Sequence, residues 1–106
     1  FDSLAKVRAL RLLWRSLSRA FGHETPAVIE ARSSRRMLSR RDPWPNLLRL
    51  TAAWFAGAVG GVEAVVLDGF SRARGRPDAF ARRQARNTQL VPMEEARLGR
   101  VADPAA

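Results

Sequence analysis

Apolar residues recur every three or four positions at Leu4, Val7, Leu10, Trp14, Leu17 and Phe21, which predicts an amphipathic helix over residues 3–21. Ser3 is placed to cap its start and Gly22 to stop it. Arg8, Arg11, Arg15 and Arg19 repeat at the same period on another face. The apolar stripe reads as a core-packing face, with a membrane-surface or partner helix as the alternative. Pro26 then breaks the chain, and Ala27 to Ala31 reads as a short strand. Residues 33–41 are polar and basic without a period, hence a loop. Asp42-Pro43 marks a helix start, and the helix is expected from Trp44 to Val59 with Leu47, Leu48, Ala52, Phe55 and Val59 as its apolar face. Gly60-Gly61 ends it. Ala64 to Leu67 is brief and apolar on both faces, as in a parallel strand covered by helices. After a loop from Asp68 to Pro77, Asp78 caps a third helix from Ala79 to about Val91. Pro92 is expected to end or kink that helix, with Met93 to Arg97 available for one more turn.

This order, helix–strand–helix–strand–helix, implies right-handed crossovers and a parallel sheet. Two strands neither close a barrel nor cover both of their own edges. The fold class expected is therefore α/β, an arc of a larger (β/α)8 TIM barrel, with residues 1–106 as one partial domain.

Composition narrows the function classes. The chain has 106 residues, enough for one small domain with a modest core. Cysteine is absent, which excludes disulfide staples and thiolate metal sites and fits a reducing, cytoplasmic setting. No apolar run approaches the roughly 20 residues of a membrane helix. The net charge of +9 points toward polyanions in general. Lys6 is the only lysine, however, so the other 18 of the 19 basic residues are arginine. Together with abundant alanine, that bias is what GC-rich coding produces without selection for nucleic acid. A small basic module binding nucleic acid or anionic membrane through the Arg8–Arg19 stripe is the alternative reading.

Candidate chemistry is sparse. In α/β barrels the working face lies at the carboxyl ends of the strands. That end holds Arg32, Ser33 and Ser34 after the first strand and Asp68 and Gly69 after the second. Arg32 offers a planar fork for a phosphate or carboxylate, and Ser34 adds a hydroxyl; a plain surface loop is the competing reading. Glu94 and Glu95 are adjacent, diverge by about a hundred degrees on a helix, and do not form an acid/base pair. His23, the only histidine, follows a helix stop and has no second ligand at metal spacing. Trp14, Trp44 and Trp54 fall in or beside apolar helix stripes, which makes packing their default role.

Several pieces taken together carry a resemblance. They are Arg32-Ser33-Ser34, Asp42-Pro43-Trp44, Asn46-Leu47-Leu48-Arg49, Gly60-Gly61, Pro77-Asp78, Ala85-Arg86-Asn87-Thr88-Gln89, Glu94-Glu95 and Val101-Ala102-Asp103-Pro104-Ala105. In that order they resemble the methylmalonyl-CoA mutase family over most of residues 27–106. The resemblance implies the substrate-binding barrel of an adenosylcobalamin-dependent isomerase, in which an adenosyl radical abstracts hydrogen and a thioester group migrates between methylmalonyl-CoA and succinyl-CoA. It also implies that Arg32 and Ser34 contact the acyl-CoA substrate and that Glu94 and Glu95 lie near the cofactor. Catalytic chains of the family carry a Leu-His-Thr-Asn-like run where this chain has Val65-Val66-Leu67-Asp68, so a valine stands in place of the histidine. With Asp-Pro-Trp and Gly-Gly beside it, the chain is similar to the small, non-catalytic subunit. The implied partner is a catalytic large subunit, with no cobalamin-binding domain in this chain and no activity of its own.

Overall fold

The computed structural model describes residues 1–101; the motif at Asp103-Pro104 lies outside them. Its elements alternate as the periodicity predicts. They are α1 (Asp2–Ala20), β1 (Glu30–Arg32), α2 (Pro45–Gly60), β2 (Ala64–Val66) and α3 (Ala79–Glu94), with short 3-10 turns at Arg35–Met37, Arg72–Arg74 and Leu98–Val101. The strands pair in parallel, with Glu30 opposite Ala64, Ala31 opposite Val65 and Arg32 opposite Val66. A two-stranded parallel α/β unit is thus established. No described helix is long and apolar enough to cross a membrane.

Glycines close the helices. Gly22 and Gly61 adopt left-handed backbone, with φ of 77° and 81°. At each turn two amides fold back: His23 N–H donates to Ser18 O and Gly22 N–H to Arg19 O, while Val62 N–H donates to Gly57 O and Gly61 N–H to Ala58 O. Asp78 caps α3 as expected, its carboxylate accepting from Ala81 N–H at 2.7 Å.

Six expectations are corrected. α1 starts at Asp2, so Ser3 lies inside it and caps nothing. β1 begins at Glu30 rather than Ala27, because Ile29 is where the two strands first meet: its amide donates to Glu63 Oε2 at 2.7 Å, and its carbonyl accepts from Glu63 N–H at 3.0 Å. Val28, just outside, is 86 % exposed. α2 buries Asn46, Leu50, Trp54, Ala56, Gly57 and Gly60, and leaves Leu48 and Phe55 exposed. Its small residues choose that face, since a Cβ on Gly57 would lie 3.2 Å from Val65 Cγ2 and one on Gly60 3.2 Å from Val7. Asp42 precedes α2 by an Asx-type turn, accepting from Trp44 N–H at 3.2 Å, and the helix begins at Pro45. α3 runs through Pro92 to Glu94, because the ladder resumes when Glu95 N–H reaches Val91 O at 2.9 Å. The apolar stripe of α1 is no core face within this chain: none of its residues is fully buried, and Leu10, Trp14, Leu17 and Phe21 are exposed. Only Leu4 and Val7 settle against the end of α2.

The core sits at the carboxyl end of the strands. Leu38, Leu50, Phe70 and Ala81 form it, with Met37, Leu47, Leu67 and Ala73 packed around them. Of the three tryptophans, Trp54 is buried, whereas Trp44 is exposed and stacks on Phe70. Trp14 is exposed and donates its indole N–H to Thr25 O at 2.9 Å.

Candidate functional site

The parallel register places the candidate residues side by side. Arg32 closes β1 directly opposite Val66, the last residue of β2. Ala31 and Val65 face α2, so Glu30, Arg32, Ala64 and Val66 share the other, exposed face of the sheet. Beyond the strands Ser33 ties the two loops together: its amide donates to Val66 O at 3.0 Å, and its hydroxyl accepts from Asp68 N–H at 2.9 Å.

Arg32 pairs through Nε with Glu30 Oε1 at 2.5 Å, while the side chain as a whole is 73 % exposed. Its terminal nitrogens have no protein partner among the described residues, so the fork remains available to an anion. So exposed a pair contributes about 0–1 kcal/mol to stability and chiefly orients the guanidinium. Ser34 Oγ accepts from Arg36 N–H at 3.3 Å and caps the following 3-10 turn, a local role that leaves its own proton free to donate. Asp68 lies at the outer limit of ion pairing with two arginines, 4.0 Å from Arg35 and 3.9 Å from Arg72. The result is a cationic rim around one carboxylate, suited to holding an anionic or carbonyl-bearing group. No cluster of metal-ligating side chains occurs among the described residues. His23 lies on the turn before β1, where its backbone closes α1.

Glu94 and Glu95 are not brought to this rim. α3 starts against Gly69 and Phe70 and extends about 24 Å over its 16 residues, so both carboxylates lie at the far end of the helix. Two grooves open on the surface. One of about 690 Å³ is lined by Arg8, Trp14, Arg15, Thr25, Pro26 and Gly61 among others, and one of about 660 Å³ by Phe1, Arg36, Leu38, Arg49 and Ala56 among others. Neither is lined by Arg32, Ser34, Asp68, Glu94 or Glu95.

Three residues to which the sequence reading gave no structural role, Asn46, Arg11 and Glu63, tie distant parts of the unit together. Asn46, fully buried, fastens the loop before α2 to Phe70. Arg11 reaches from α1 to Ala27 O at 3.1 Å, to Gly61 O, and to Glu63 Oε1 at 2.8 Å. Glu63 in turn holds Ile29 at the strand entry. The backbone N–H of Ile29, with the Arg11 guanidinium adding to it against a partial desolvation penalty, holds the Glu63 carboxyl below its ordinary value of 4.5. The available signals were slight: one asparagine opening an apolar helix, and one glutamate between Gly-Gly and a strand.

The family profile described as Methylmalonyl-CoA mutase matches residues 1–106. The chain belongs to the methylmalonyl-CoA mutase family. It is similar to the probable methylmalonyl-CoA mutase small subunit of Mycobacterium tuberculosis, with 46% identity over 112 residues, covering 99% of this chain and 18% of that protein. The methylmalonyl-CoA mutase small subunit of Streptomyces virginiae is 46% identical over 109 residues, covering 99% and 17%. That of Propionibacterium freudenreichii subsp. shermanii is 41% identical over 109 residues, again 99% and 17%. The chain therefore spans less than a fifth of the length of these relatives. Nothing in these likenesses supports the basic nucleic-acid or membrane module.

Proposed function

We propose that the chain is part of the non-catalytic small subunit of a cytoplasmic methylmalonyl-CoA mutase, a section of its (β/α)8 barrel that supports a catalytic large subunit. One observation carries the non-catalytic half of this reading. Val66 closes β2 opposite Arg32, and the family resemblance implies a histidine at this position in catalytic chains. An aliphatic side chain there neither donates a hydrogen bond nor moves a proton. The substrate side of the reading rests on Arg32 and Ser34, whose free guanidinium nitrogens and hydroxyl proton suit an acyl-CoA carboxylate or thioester oxygen.

The residues present do not fit adenosylcobalamin. The single histidine sits on a helix-closing turn, and Glu94 and Glu95 are exposed carboxylates lining neither groove. In this reading radical chemistry belongs to the companion chain, and Glu94 and Glu95 remain only as carboxylates that its cofactor can approach. The test is turnover by the complete polypeptide carrying this sequence, supplied with methylmalonyl-CoA and adenosylcobalamin. No succinyl-CoA is expected without the large chain, and product is expected with it. Turnover by the small chain alone overturns the proposal.

A further inference from the structure

The pairing of Arg32 decides what its guanidinium is able to hold. Glu30, Arg32, Ala64 and Val66 share one face of the sheet, with Ala64 opposite Glu30 and Val66 opposite Arg32. The neighbouring strand therefore meets Arg32 with a methyl and an isopropyl group, neither charged nor able to hydrogen-bond. Glu30 and Arg32 find each other along their own strand instead, with Arg32 Nε donating to Glu30 Oε1 at 2.5 Å. Residues two apart on a strand lie on the same face about 7 Å apart, so the extended backbone itself presents the two side chains to each other. Because the nitrogen taken is Nε, the outer edge of the guanidinium keeps its two terminal nitrogens as a planar pair of donors.

Those donors carry little net charge. An anion on the outer edge would lie about 7 Å from the Glu30 carboxylate, a repulsion worth about three-fold in affinity even at the dielectric of water. A neutral carbonyl oxygen accepts from the same two donors without that cost. The other cations near the strand ends are shared or aimed elsewhere. Arg35 and Arg72 flank Asp68 at 4.0 and 3.9 Å, and Arg36 lines the groove of Leu38 and Arg49, which neither Arg32 nor Ser34 lines. Ser34, the second candidate contact, is itself uncharged: its oxygen accepts from Arg36 N–H at 3.3 Å and its proton is left to donate. With side chains 46% and 73% exposed, the Glu30–Arg32 pair does little to hold the fold, and its consequence lies in the choice of ligand.

Resting on the reading above that Arg32 and Ser34 meet an acyl-CoA, we propose that Glu30 is the specificity-determining residue of this site. It neutralises Arg32, so that the guanidinium receives the uncharged thioester oxygen and not the acyl carboxylate.

The experiment is titration calorimetry of the complete small-subunit polypeptide carrying this sequence. The probes are methylmalonyl-CoA and propionyl-CoA, which share the thioester and differ by one carboxylate. Arg32→Met is expected to weaken both esters alike, by about ten-fold. Glu30→Gln keeps the acceptor for Nε and removes the charge. It is expected to tighten methylmalonyl-CoA about three-fold relative to propionyl-CoA at low salt, a gain that fades as salt is added. If Arg32→Met weakens methylmalonyl-CoA and spares propionyl-CoA, the fork holds the carboxylate; the inference is overturned and the acyl-CoA reading stands. If Glu30→Gln leaves the ratio of the two affinities unchanged, the inference is overturned alone. If wild type binds neither ester, or Arg32→Met binds both as tightly as wild type, the acyl-CoA role of Arg32 falls and takes the inference with it.

Discussion

Replacing Asn46 with alanine tests the packing argument at its most exposed point. The side chain is fully buried and makes four hydrogen bonds. Its oxygen accepts from Ser39 N–H at 2.7 Å and from Arg49 at 3.3 Å, and its amide donates to Ser39 O and Phe70 O, both at 2.9 Å. Alanine strands three backbone groups. Two are partly buried, at about 1 kcal/mol each, and the Phe70 carbonyl is buried, at about 2 kcal/mol. Water entering the vacated volume re-satisfies part of this, leaving a loss of about 3 kcal/mol. That is a large share of the roughly 5–15 kcal/mol typical of a whole domain. With a denaturant slope of about 1.5 kcal/mol/M, the urea midpoint should fall by about 2 M, followed by Trp fluorescence. Asn46→Asp should do no better: it keeps the Ser39 amide but turns an oxygen toward two carbonyls. A midpoint drop below about 0.5 M for Asn46→Ala would show that the loops need no such fastening.

Other perturbations probe separate parts of the fold. Because the folded Glu63 carboxyl titrates below its ordinary value, its contribution to stability is complete above pH 4.5 and is lost as the pH falls through the lowered value; Glu63→Gln should flatten the acid limb of the thermal stability curve, and parallel acid limbs would refute the clamp. Gly69→Ala should destabilise by about 1–3 kcal/mol, since the new Cβ would lie 2.8 Å from Pro77 Cβ on a rigid ring; an unchanged urea midpoint would contradict that contact. Pro92→Ala should restore an amide inside α3 and stabilise the helix by up to about 3 kcal/mol, read as a rise in helical CD signal and melting temperature, and a fall in either would mean the proline shapes a needed bend.

The elements legible from sequence are those specified locally. Asp78 caps α3 through an amide three residues on, and Gly22 and Gly61 close their helices through amides no more than five residues away, so composition in a short window was enough. The errors fall where distant residues decide. The start of β1 is set by Glu63, 34 residues from Ile29. The buried side of α2 is set by where glycines permit close approach, and no hydrophobicity pattern scores a glycine as an anchor: Leu48 and Phe55 lost to Gly57 and Gly60. The candidate site divides the same way. Arg32 and Ser34 came from resemblance, and geometry then gave Arg32 its neighbours Val66 and Glu30, a pairing across the sheet and along the strand that the resemblance did not contain. Asn46 was present in the resembling run without a role, because its work is done on Ser39 and on Phe70, 24 residues away. The α1 stripe is the instructive case. Its period is regular, yet Leu10, Leu17 and Phe21 stay open. Periodicity reports that a face is meant to be covered, and burial reports what covers it; here the two diverge because helix period is written within α1 and its cover is not.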